Sequence, residues 1–140
     1  MAQAMRGIVL LGAAALMMST GVRAQAPACG ADLAGAQRAE SAHYTVAYRT
    51  SPAKIAVAGH FSMEIAVCAK AGAPLPDALR IDARMPEHGH GMNYTVTVTP
   101  RGRGRFKAAG LMFHMPGRWE LVFEVRSGDA PERVIHNITL

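Results

Sequence analysis

Residues 94–106, Tyr-Thr-Val-Thr-Val-Thr-Pro-Arg-Gly-Arg-Gly-Arg-Phe, decide the fold. Tyr94, Val96 and Val98 alternate with threonines, a period of two that puts one side-chain type on each face of an extended chain. Pro100 and the Arg101-Gly102-Arg103-Gly104-Arg105 run then break the pattern, and Phe106 to Phe113 opens a second strand-like run. A solvated hairpin turn between two strands is the simplest reading of that order. Working outward, the same period recurs at Tyr44, Val46 and Tyr48, at Phe61, Met63, Ile65 and Val67, and at Leu79, Ile81 and Ala83. It returns at Trp119, Leu121, Phe123 and Val125, and at Val134, His136, Ile138 and Leu140. Turns rich in Pro and Gly separate these runs: Ser51-Pro52, Gly72-Ala73-Pro74, Pro86 to Gly91, Pro116-Gly117 and Ser127 to Pro131. About seven short strands with no long amphipathic helix between them predict an all-β chain, an immunoglobulin-like antiparallel β-sandwich over residues 42–140. Residues 25–41 lack a sustained apolar period and read as an irregular lead or one short helix.

The N-terminus carries a different pattern. Arg6 precedes an apolar run from Ile8 to Met18, and Val22-Arg23-Ala24 supplies small residues where a signal peptidase would cut. Residues 1–24 therefore read as a cleaved signal peptide, with Ala24-Gln25-Ala26 an equally acceptable site. The run falls short of the roughly 18 to 20 apolar residues that cross a bilayer. An uncleaved anchor and a lipid anchor on Cys29 are the competing readings. The resulting expectation is a soluble periplasmic protein with no stable membrane insertion after cleavage.

Loss of the leader removes Arg6 and Arg23 and leaves 13 Lys plus Arg against 10 Asp plus Glu, a net charge of about +3. That is too mild a bias to argue for nucleic acid as a partner. Two cysteines remain, Cys29 and Cys68, in a chain addressed to an oxidising compartment. They are expected to form a disulfide. A thiolate metal site is the alternative, weakened by the absence of a local Cys-x-x-Cys. No phosphate-binding glycine loop or Gly-x-Ser-x-Gly elbow is present, so the expectation is a binding protein and not an enzyme.

Chemistry concentrates in two short stretches, Met85-Pro86-Glu87-His88-Gly89-His90-Gly91-Met92 and Met112-Phe113-His114-Met115-Pro116-Gly117. Alternate residues of an extended segment share a face, so His88, His90 and Met92 can point one way, and His114 and Met115 stand at a strand end before a turn. Imidazole mixed with thioether is a donor set for copper: the soft thioether favours Cu(I), and imidazole accepts either oxidation state. The candidate ligands are His88, His90, His114, Met85, Met92 and Met115. Methionine also fills cores, the expected role of Met63 and Met112. His43, His60 and His136 read as isolated strand histidines, Trp119 as a core anchor, and Glu87 as a group orienting a neighbouring histidine.

The run Met85-Pro86-x-His88-x-His90-Gly91-Met92, followed by Gly110-Leu111-x-Phe113-His114-Met115-Pro116-Gly117-x-Trp119-Glu120-Leu121, resembles the small periplasmic proteins of the YtkA-like group, related in turn to FixH-like domains. The resemblance covers approximately residues 55–126. It implies an immunoglobulin-like sandwich, export or anchoring, and an association with copper handling or cytochrome oxidase assembly. The transmembrane segment of FixH-like proteins has no counterpart here. The functional expectation is a copper carrier or buffer whose partners are other periplasmic or membrane copper proteins. The alternatives are an accessory sandwich that docks a membrane complex through its Met-rich rim without metal, and a mononuclear copper redox enzyme.

Overall fold

The computed structural model describes residues 24–140; all but the last residue of the expected signal peptide lies outside the described residues. Among the described residues there are nine strands and no helix: β1 (Gln37–Glu40), β2 (Tyr44–Ser51), β3 (His60–Ala69), β4 (Ala78–Met85), β5 (His90–Gly91), β6 (Thr97–Gly102), β7 (Arg105–Met112), β8 (Arg118–Arg126) and β9 (Pro131–Thr139). They form two antiparallel sheets, in the order β1-β2-β3-β7-β6 and β5-β4-β8-β9. With the two marginal strands β1 and β5 set aside, these are the ABED and CFG sheets of the immunoglobulin sandwich.

The period-two runs explain the layers. In β3, Phe61, Met63, Ile65 and Val67 are buried, as are Leu79, Ile81, Ala83 and Met85 of β4. They meet Trp119, Leu121, Phe123 and Val125 of β8 in one continuous core between the sheets. Trp119 is fully buried and touches Phe113 with ring centroids 5.0 Å apart.

Four sequence expectations need correction. Nine strands occur where about seven were expected, because β1 and the two-residue β5 are too short to show a period. The 25–41 lead contains no helix: turns through Gly35 are followed by β1, which pairs with β2 from Gln37↔Tyr48 to Glu40↔Thr45. The run at Tyr94 to Val98 begins its ladder only at Thr97, and Tyr94 is an exposed loop residue. The hairpin turn after β6 is tighter than Pro100 to Gly104 suggested, since β6 continues to Gly102 and the positive φ values of Gly102, Arg103 and Gly104 reverse the chain.

The lead crosses the outer face of the five-stranded sheet. There Leu33 packs on Ala47 and Ala66, with Cys29 and Ala36 beside them. The Cys29–Cys68 disulfide fastens this second small core to β3. Gly30 is required at the crossing: a Cβ there would lie 2.5 Å from the Ala47 Cβ, and its φ is +65°.

Candidate functional site

At one end of the sandwich β4, β7 and β9 finish and β8 begins. After Met85 the chain turns, closes a His88 N–H bond to the Met85 carbonyl (3.2 Å), and returns as β5, with Met85↔His90 and Arg84↔Gly91 in register. The Met92 N–H then donates to the Ala83 carbonyl at 2.9 Å, which holds the end of this small hairpin to β4. Gly89 takes a φ of +65° at the turn, with open space where its Cβ would be.

The second stretch forms the facing corner. Phe113 is buried, and its carbonyl accepts from the Ala58 N–H at 2.7 Å. The indole N–H of Trp119 donates to the Met115 carbonyl at 3.0 Å. Gly117 exchanges backbone hydrogen bonds with Leu140 at 3.2 and 3.1 Å. These bonds lock the His114-Met115-Pro116-Gly117 corner onto the start of β8 and the end of β9. Gly117 also sits on the Met85 methyl group, so close that a Cβ would lie 2.8 Å from it.

The six predicted site residues therefore gather at one rim, in different settings. His88 and His90 are exposed with stacked rings 6.1 Å apart. The His90 ring lies 6.1 Å from that of His114, which stands edge-on to Trp119 at 5.3 Å. His114 is half-buried, and its Nδ1 is shielded from solvent without a hydrogen-bond partner. Met92 and Met115 are half-buried against the core, while Met85 is fully buried beneath the corner. The three histidines form a row and not a closed ligand set: among the described residues no three His, Cys, Asp or Glu side chains converge on a metal-sized point. An imidazole nitrogen must come within about 2 Å of an ion it binds. The rigid corner fixes His114, so His88 and His90 would have to swing on the Gly89 turn.

Two other residues depart from their expected roles, Glu87 and Met112. Glu87 ion-pairs with Arg118 at 3.3 Å, tying the loop to the start of β8. Met112 is half-buried opposite His60, outside the buried layer that Leu111 enters. His60 stands edge-on to Tyr94 at 5.6 Å. His43 lies at the far end, its Nδ1 2.8 Å from Glu132. Bonds from the Ser41 hydroxyl, the His43 backbone N–H and the His43 ring hold the Glu132 carboxyl down at about 2. His136 packs between the sheets with its Nδ1 2.8 Å from the Tyr48 hydroxyl, which also donates to Gln37 at 2.9 Å. Burial lowers the pKa of His136 and raises that of Tyr48. Sequence reading missed the Trp119 contacts with the corner, although the Met115-Pro116-Gly117-x-Trp119 spacing across a tight turn carried the signal.

Fold and rim together define a small β-sandwich domain with a histidine- and methionine-bearing end. The YtkA-like family model matches residues 38–124, well over half of the chain, and the chain belongs to the YtkA-like family. No curated protein matches it. A crystal structure of a DUF4426 family protein from Pseudomonas aeruginosa PAO1 is similar in fold, with a TM-score of 0.50, 11% identity, and coverage of 76% of this chain and 94% of that one.

Proposed function

We propose that this protein binds copper at the rim and acts as a carrier or buffer in the periplasm, exchanging the ion with other copper proteins and catalysing nothing itself. The observation that carries the reading is the orphaned Nδ1 of His114, shielded from water and unpaired in a ring whose centroid lies 6.1 Å from that of His90. A buried imidazole nitrogen without a partner costs about 1–3 kcal/mol, which a metal bond would offset. The donors around it fit copper: neutral imidazoles from His88, His90 and His114, and thioethers from Met92 and Met115, with Met85 directly beneath. Copper is the cargo here. The chain's part is to hold His114 and Met115 rigid while the Gly89 loop brings the other two histidines in or lets them go.

The test is a titration of the purified domain with Cu(I) and Zn(II). Trp119 is the only tryptophan of the chain and lies 5.3 Å from His114, so its fluorescence reports the site directly. Changing Met92 and Met115 to Leu keeps apolar bulk and should weaken Cu(I) by at least about tenfold while leaving Zn(II) nearly unchanged, since zinc gains little from thioether. His90→Ala or His114→Ala should weaken both ions far more than His43→Ala or His136→Ala. Cu(I) affinity unchanged in the double Met→Leu protein would remove the main support for a copper site. The second reading, an accessory domain that docks a membrane complex through this rim without metal, draws on the same unclosed histidine row. It requires no copper-dependent change in Trp119 at all.

A further inference from the structure

We propose that the β6–β7 hairpin, with the trough beside it, is a docking surface for an acidic segment of another protein. The inference does not depend on the metal reading. Among the described residues, six Lys or Arg side chains have no carboxylate within 4.0 Å: Arg38, Lys54, Arg101, Arg103, Lys107 and Arg126. Three of the six fall within seven residues of one hairpin, and the other three are scattered. The charge excess of the domain is thus concentrated at one place.

The place has shape as well as charge. Arg101, Arg105 and Lys107 line a cavity of about 390 Å³ whose opposite wall is Asp32 and Leu33 of the N-terminal lead. The lead forms that wall because the Cys29–Cys68 bond and the Leu33–Ala47–Ala66 packing hold it on the sheet. Asp32 is engaged by Arg105, and Glu64, also lining the trough, by Arg49. Arg101 and Lys107 are left facing the trough uncompensated, with Arg103 at the hairpin tip.

Charge and shape select the occupant. A second copy carries the same positive excess and the same basic hairpin, so it would be repelled. A bilayer surface is flat and fluid; it would meet the convex tip and leave the trough unfilled, while Asp32 and Glu64 would face its anionic groups. A protein segment can set carboxylates against Arg101 and Lys107 and donors against those two acids. Strand addition at the free β6 edge is blunted by Pro100, which has no N–H, and by the bulge between Pro100 and Gly102. Recognition is therefore through side chains, and it weakens with salt. Arg105 begins β7 and His114 lies two residues past its far end at Met112, so hairpin and rim stand at opposite ends of the strand, at most roughly 30 Å apart. A partner held at the hairpin leaves the opposite rim open.

The probe is fluorescein-labelled poly-glutamate, followed by anisotropy at low and high salt, with vesicles of phosphatidylglycerol and phosphatidylcholine as the second arm. Arg101→Gln/Arg103→Asn/Lys107→Gln is compared with Arg38→Gln/Lys54→Gln/Arg126→Gln, which removes the same charge from scattered positions. Binding to poly-glutamate should fall at least about tenfold in the hairpin variant and less than about twofold in the scattered one. Equal losses would reduce the effect to net charge and overturn the proposal. So would parent protein that ignores poly-glutamate, or that prefers the anionic vesicles. Should the triple hairpin variant not fold, Lys107→Gln alone, within the β7 ladder, should still weaken binding about threefold, and no loss there overturns the proposal equally.

Discussion

Replacing Cys29 and Cys68 together by Ala separates what the lead does for stability from what the rim does for binding. The bond closes a sequence separation of 39 residues, and on the loop-closure model its removal restores unfolded-chain entropy worth about 4 kcal/mol. Further loss follows if the lead lifts away, because Ala47 and Ala66, 0% and 2% exposed, are covered on that face by Leu33 and Cys29. For a domain of this size about 4 kcal/mol corresponds to a melting temperature lowered by roughly 15–25 °C. The assay is thermal unfolding by circular dichroism of the oxidised parent and the double variant, each then titrated with copper below its transition. Copper affinity should not change: Cys68 lies eight residues along β3 from His60, roughly 26 Å from the rim end. A shift of only a few degrees would show that the lead is held by packing alone. A matching loss of copper affinity would show that the two ends are coupled, contrary to the geometry.

Acid should act in two separate windows. His136 has its pKa lowered by burial, so the stability of its neutral form is complete above about 6.5 and is lost as pH falls from there through its folded value; denaturant melts of His136→Gln should be flatter with pH in that range. Glu132, held down to about 2 from 4.5, contributes stability above 4.5 that disappears between 4.5 and about 2, and Glu132→Gln should remove that lower-pH decline. At the β6–β7 turn, Gly104→Ala places a Cβ 2.4 Å from the Val67 carbonyl oxygen at a φ of +71°, and should destabilise by about 2–4 kcal/mol in denaturant titration. Gly102→Ala, at φ +85° with open space, should cost only about 1 kcal/mol; equal costs would mean that the close approach to Val67 is unimportant.

The sandwich was legible because a strand buried on one face must alternate, and β2, β3, β4, β8 and most of β7 do so. The pattern thins where burial does. Along β6 no residue is fully buried, so its threonines and valines carry an alternation that extends past the ladder to Tyr94. β1 has one buried residue, Ala39, too little for a period to register. The disulfide could be read from an expected export signal and a cysteine count, but the second core beneath it could not, since Leu33, Ala47 and Ala66 are far apart in sequence and share no period. For the site, sequence spacing brought all six predicted residues to one end. It could not show that Met85 would be buried under Gly117, that Glu87 would pair with Arg118, or that the histidine rings would stop short of convergence. Those outcomes depend on which face a side chain takes in a turn, and turns have no period.

The two halves of the rim differ in stiffness, and that difference bears on carrier against store. His114 and Met115 sit on a corner fixed by the Trp119 indole, the Gly117–Leu140 bonds and the Ala58–Phe113 bond. His88 and His90 sit on a hairpin of two residue pairs whose other ties are the His88 and Met92 backbone bonds to β4 and one ion pair at 3.3 Å. That exposed ion pair contributes at most about 1 kcal/mol, so opening this half is inexpensive compared with moving the corner. A site with all its donors on the rigid half would bind tightly and release slowly. If the rim holds copper as proposed, donors divided between a fixed corner and a loosely held loop would let an incoming partner take the place of His88 and His90 while His114 stays fixed. This is the behaviour that transfer between proteins requires, and it gives the glycines flanking His90 a purpose beyond closing a turn.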